Sequence, residues 1–220
     1  MYPPLALPSL IVPPLEKSMT QQPWTTADNL TVVGLAGTRG HDRDRQDLLE
    51  IAVVPLNGGR PDMSRAWETT INPGRCIAAA PGIAPQLTGS ILLTAPALAD
   101  IADDITSRLH KRILIGHNLT AGWPLLHRHL PELQATALID TARLYKHLHP
   151  AVQRLSLSRL VDLYGLAHRV DALAPKRVPY RAMWGATTAA LLLPALIAEL
   201  PDAAHTTLAE LESIASLPGN

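Results

Sequence analysis

Leu30-Thr31-Val32-Val33-Gly34-Leu35-Ala36, a charged loop, and then Leu48-Leu49-Glu50-Ile51-Ala52-Val53-Val54-Pro55-Leu56 set the fold class of this chain. The first stretch is rich in β-formers, and the second is a near-continuous apolar run of strand length. A weaker alternation over Ser64–Ile71 predicts a third strand. Leu98, Ile101, Ala102, Ile105 and Leu109 recur at helical spacing, which predicts a helix over Pro96–His110. Short apolar strands are expected at Arg112–Ile115 and Thr136–Ile139. Helices are expected at Thr141–Leu148, Ser156–Tyr164, Arg181–Ala198 and Thr206–Ser216, with Gly165 ending the second of them. Strands first, then strands alternating with helices, indicate an α/β architecture: a mixed sheet flanked by helices.

The 220 residues are enough for one domain with a sizeable core, and 47% hydrophobic with 17% charged residues fits a globular chain. Phe is absent, so aliphatic side chains must fill the interior. The single cysteine, Cys76, excludes an internal disulfide and has no base patterned with it. The most apolar segment, Ala186–Leu200, is broken by Pro194 and is too short to span a bilayer. The start Met1-Tyr2-Pro3-Pro4 lacks the basic-then-apolar pattern of a signal peptide, and the expected location is cytoplasmic. Residues 1–28 carry six prolines among apolar side chains. They form an arm that packs on its own domain or docks on a protein partner. The domain proper is expected over residues 29–200, with a tail over residues 201–220.

Further stretches carry a resemblance to a known family. They are Val32–Gly40, Ile115-Gly116-His117-Asn118-Leu119-Thr120-Ala121-Gly122, Ile139-Asp140-Thr141-Ala142-Arg143-Leu144, Leu155–Leu160 and Tyr180-Arg181-Ala182-Met183-Trp184-Gly185-Ala186. In this order they resemble the DEDDh 3′–5′ exonucleases, the family of ribonuclease T and of the proofreading subunit of bacterial replicative polymerases. The resemblance covers about residues 29–200 and implies a ribonuclease H-like exonuclease fold. It also marks five catalytic positions, which here hold Leu35, Gly37, Gly122, Tyr180 and Gly185 in place of Asp, Glu, Asp, His and Asp. Two-metal phosphodiester hydrolysis needs carboxylates to hold hard cations and a base to activate water. A leucine and three glycines supply no ligand atom, so neither metal nor other cofactor is expected. Side chains at 35 and 37 fall on one side of the strand by alternation. Pro124 disfavours helix before it, which predicts a helix starting near Pro124 with Gly122 in the preceding turn.

Other patterns have plainer explanations. Gly34-x-x-Gly37-x-x-Gly40 lacks a following helix signal, so a loop rather than a phosphate cradle is expected. His127-x-His129 and His147-x-His149 hold residues two apart, which do not face each other on a helix, and are read as surface histidines. Asp42, Asp44 and Asp47 alternate with Arg43 and Arg45 in a self-compensating loop. Net charge is zero, yet residues 141–181 concentrate Arg143, Lys146, Arg154, Arg159, Arg169, Lys176, Arg177 and Arg181. By resemblance, Lys176, Arg177 and Arg181 border the old substrate cleft. Together with His117, Asn118, Arg143 and Lys146 they are the candidate nucleic-acid contacts. Three readings follow: a non-catalytic module binding single-stranded nucleic acid or a protein, a residual or altered metal-dependent exonuclease, or a protein-interaction subunit docking through residues 1–28.

Overall fold

The computed structural model describes residues 22–38, 46–78, 83–84, 87, 89–153 and 155–217. Most of the N-terminal arm, the loop carrying Asp42 and Asp44, and Arg154 lie outside them. A six-stranded sheet forms the centre, ordered β3-β2-β1-β5-β6 with β4 also paired to β2. The strands are β1 (Leu30–Gly37), β2 (Leu48–Asn57), β3 (Arg60–Pro61), β4 (Trp67–Thr70), β5 (Ile113–Gly116) and β6 (Ala137–Asp140). β1 runs antiparallel to β2 and parallel to β5, and β5 runs parallel to β6. The helices are α1 (Ser90–Leu93), α2 (Leu98–Leu109), α3 (Leu119–His129), α4 (Thr141–Leu148), α5 (Leu157–Leu163), α6 (Ala167–Leu173), α7 (Ala182–Ile197) and α8 (Leu208–Ala215).

Both faces of the sheet are covered. On one, Val32, Val54, Ile113, Ile115 and Ile139 pack against α4 to α8. On the other, Val33, Ile51, Val53 and Leu114 pack against α2 and α3. α7 is apolar around nearly its whole circumference, as a helix enclosed on all sides must be. It lies so close to β1 that a Cβ on Gly34 would fall 2.0 Å from the Ala182 carbonyl oxygen, an approach only glycine permits.

Three expectations need correction. The strand expected over Ser64–Ile71 begins only at Trp67. Asp62 accepts hydrogen bonds from the Ser64 N–H (3.1 Å) and hydroxyl (2.6 Å) and turns Met63–Arg65 into a 3₁₀ helix. α3 starts at Leu119, not at Pro124, so Gly122 lies inside the helix. Pro124 removes one helical N–H, and the carbonyl it would have bonded belongs to Thr120, an exposed residue. The tail after residue 200, with the helix expected in it, is part of the core. Leu208, Leu211 and Ala215 of α8 enter the main core, and Trp24 from the arm joins them. Thr207 and Glu210 form a reciprocal cap at the start of α8, which fixes where that helix begins. α1, α6 and the short β3 were not anticipated, although Asn57-Gly58-Gly59-Arg60 is a recognisable hairpin turn. No helix among the described residues is long and apolar enough to cross a membrane.

Candidate nucleic-acid cleft

Two buried carboxylates shape the end of the sheet where β1, β5 and β6 terminate. Asp140, 1% exposed at the end of β6, accepts backbone N–H bonds from Asn118 (2.7 Å), Thr120 (3.4 Å) and Ala142 (2.9 Å). It thereby caps α3 and α4 together, a placement that suits an anion at two helix N-termini. Asn118 adopts φ 63°, a left-handed conformation that Asn tolerates. Beside it, the Thr141 hydroxyl donates to the Gly116 carbonyl (3.1 Å) and lies 3.0 Å from His117 Nδ1. With its proton directed at Gly116, the hydroxyl can only accept there, which assigns the ring proton to Nδ1.

Glu50 does the equivalent work for α7. It is 1% exposed, and its carboxylate accepts from Arg181 Nε at 2.9 Å, from Arg181 Nη2, and from the Ala182 N–H at 2.7 Å. Hydrogen bonding to Glu50 raises the Arg181 pKa further, against the opposing effect of burial. Arg177 pairs with Glu68 of β4. Two of the expected phosphate contacts are therefore engaged with carboxylates of the sheet, and Lys176 sits exposed in a turn at φ 62°.

The other four candidates do come together. His117, Asn118, Arg143 and Lys146 line a cleft of about 830 Å³ between α3, α4 and the residues Val152, Gln153 and Leu155. Arg128 and Gln46 join them, with Asp140 at the wall. Lys146 Nζ donates to the Pro150 and Val152 carbonyls, holding that segment in place. Arg128 Nη2 donates to the Gln46 carbonyl at 2.7 Å. Sequence reading missed Arg128 and the two buried acids. The signal for Glu50 was a charge inside an apolar strand, and for Asp140 a carboxylate at a strand-to-helix junction.

Leu35, Gly37 and Gly122 meet where β1 faces α3. A Cβ on Gly122 would lie 3.1 Å from Leu35 Cδ1, so β1 and α3 meet at those two residues. A Cβ on Gly37 would lie 2.5 Å from the Asp47 carbonyl oxygen and 2.9 Å from Leu125 Cδ2, leaving no room for a side chain. Leu35 and Gly37 thus both face α3, as alternation predicts, with a register shift after Ala36. At Gly185 in α7 a Cβ would meet nothing within 4 Å. Tyr180 is 57% exposed at φ 71°. These donors do not fit a pair of divalent cations: none of the four residues other than Tyr180 carries a ligand atom. Among the described residues no group of three or more His, Cys, Asp or Glu could hold a metal ion. His127 and His129 are half-buried rather than on the surface, the His127 ring stacking on Trp123 at 5.4 Å.

The architecture has many counterparts among solved structures. The nuclease domain of 3′hExo, a DEDDh family member bound to rAMP, superposes with a TM-score of 0.59 at 12% identity, covering 90% of this chain and 100% of that one. Exonuclease X in complex with 5′ overhanging duplex DNA gives 0.57 at 18% identity, covering 84% and 98%. The fold is that of the DEDDh exonucleases. No family model matches the sequence. A DNA polymerase III subunit epsilon-like protein of Rhodobacter capsulatus is 28% identical over 191 residues, covering 78% of this chain. The chain spans about a quarter of that relative's length.

Proposed function

We propose that this domain holds single-stranded nucleic acid in an exonuclease-like scaffold without cleaving it. The observation that carries the reading is the packing of Leu35 against Gly122. The space between β1 and α3 is filled by an isobutyl group, so ligand atoms and the room for metal-bound water are lost together. Arg143, Lys146 and Arg128 instead line a cleft without the metal-binding acids, where phosphates can be neutralised directly. Two proteins of this fold were solved with a nucleotide, rAMP, and with 5′ overhanging duplex DNA, which supports a nucleic-acid ligand here.

The test is a pair of measurements on labelled single-stranded DNA and RNA. With Mg²⁺ or Mn²⁺ the strands should stay intact. Shortening that survives repurification and stops with a chelator would sink the non-catalytic reading. Binding at low salt should be weak and indifferent to sequence. Arg143→Ala should lower the slope of log affinity against log salt by about one. No binding at low salt would move the function to a protein partner, with residues 1–28 as the docking segment.

A further inference from the structure

A second concavity lies at the opposite ends of the same parallel strands. Arg65, Arg108 and Arg112 surround a depression of about 260 Å³, with Ser107 beside them and Thr31, Val53 and Pro55 beneath. Arg65 comes from the turn before β4, Arg108 from the last turn of α2, and Arg112 from the residue preceding β5. Arg108 is stacked over Trp67 at 4.8 Å, donates from Nη1 to the Asp104 carbonyl (3.3 Å) and the Ser107 hydroxyl (3.4 Å), and reaches the Asp104 carboxylate at 3.7 Å, an exposed pair of little strength. Neither Arg65 nor Arg112 makes a side-chain hydrogen bond or ion pair among the described residues.

Thr31 is the unusual residue here. It is 1% exposed, it lines the depression, and its Oγ1 is buried with no hydrogen-bond partner among the described residues. Two places along the same face of β1, Val33 fills an equivalent position with hydrocarbon. A buried hydroxyl without a partner is destabilising, so valine would be the more stable residue at 31 unless the hydroxyl bonds something that enters. The electrostatics favour an anion. Three arginines line the depression, against two exposed acids on the same turns: Asp104, which pairs weakly with Arg108, and Asp62, which accepts from Ser64 and feels the Arg65 charge. The carbonyl end of α2 adds only about half a negative charge. The volume is below the roughly 300 Å³ of ordinary small-molecule pockets, which suits a small hydrated oxyanion.

We infer that this depression binds a phosphate-class oxyanion, independently of the nucleic-acid cleft. Guanidinium forks match phosphate oxygens, and the Thr31 hydroxyl supplies one further donor at the floor. The probe is inorganic phosphate added to the full chain, with chloride at matched ionic strength as reference. Melting temperature should rise saturably with phosphate and not with chloride. Arg112→Ala and Arg65→Ala should each weaken phosphate by about tenfold, the scale of one charge-assisted hydrogen bond. Thr31→Val should raise the melting temperature of the unliganded protein while weakening phosphate, and Thr31→Ser should retain phosphate binding. The site is refuted by a flat response, by a response that survives Arg65→Ala/Arg112→Ala, or by one abolished by Arg143→Ala. A single-stranded oligonucleotide that displaces phosphate assigns the oxyanion to a polymer backbone. Phosphate retained against it assigns a free ion, and the site stands in either case.

Discussion

Arg181 illustrates how residue-level chemistry redirects a charge. In sequence it belongs to a basic stretch leading into the third motif, and its obvious use is on phosphate. In the fold its guanidinium grips Glu50, 1% exposed, and both serve the start of α7. Removing one partner of such a pair strands the other charge in the interior, which costs about 3–5 kcal/mol. Arg181→Ala should therefore lower stability by that amount in urea denaturation, whereas Lys176→Ala should stay within roughly 0.5 kcal/mol. A stability loss at Arg181 no larger than that at Lys176 would show that Glu50 finds water or another donor. The identity of a basic residue was legible in sequence; its occupation was not, because the partner is 131 positions away.

Among the elements, α3 departs most from expectation. Proline is usually confined to the first turn of a helix, so Pro124 pointed to a later start. What overrides it is the reception at the other end: Asp140 accepts the Asn118 and Thr120 N–H groups, and Leu119, Leu125 and Leu126 are buried against the sheet. Pro124 still forfeits one backbone hydrogen bond and should be a weak point. Pro124→Ala should stabilise the domain by about 1–3 kcal/mol, measured as a raised denaturation midpoint at unchanged slope. An unchanged midpoint would mean that the Thr120 carbonyl is already well satisfied by water. α4 was readable from periodicity because its faces are sharply divided, and α5 from its Ser156 cap and Gly165 stop, whereas β2 and α7 were readable as continuous apolar runs of strand and helix length. α6 went unseen because Ala167–Leu173 buries only Val170, too little to register as a repeat.

The molecule as a whole has the mixed sheet flanked by helices of its exonuclease neighbours. The sequence motifs survive where they serve packing: Gly34 beneath α7, Glu50 on Arg181, Asp140 over two helix starts, Thr141 bonded to Gly116. Those contacts explain why the fold was legible even though the first and third motifs are recognisable mainly through their neighbours. On the proposed non-catalytic reading, supplying the family's five side chains should not supply its chemistry. A variant carrying L35D, G37E, G122D, Y180H and G185D together should show no metal-dependent exonuclease activity, because any side chain at 37 collides with the Asp47 carbonyl at 2.5 Å. The measurement is digestion of labelled single strands with Mn²⁺ by a variant whose circular dichroism matches the parent. Robust digestion would mean that the β1 end and the Asp47 segment yield readily.

The clamp between Glu50 and Arg181 also sets a timetable for synthesis. β2 leaves the ribosome with its acid near the start of a strand destined for the interior, and the cation that neutralises it follows 131 residues later. At 5–20 residues per second that interval is on the order of ten seconds. α7, the helix that the clamp anchors and that fills the main core, arrives only then. A nascent chain halted before α7 thus presents an apolar sheet with an uncompensated charge, a natural client for chaperones or proteases, and the domain closes as a late, long-range event rather than growing from its N-terminus.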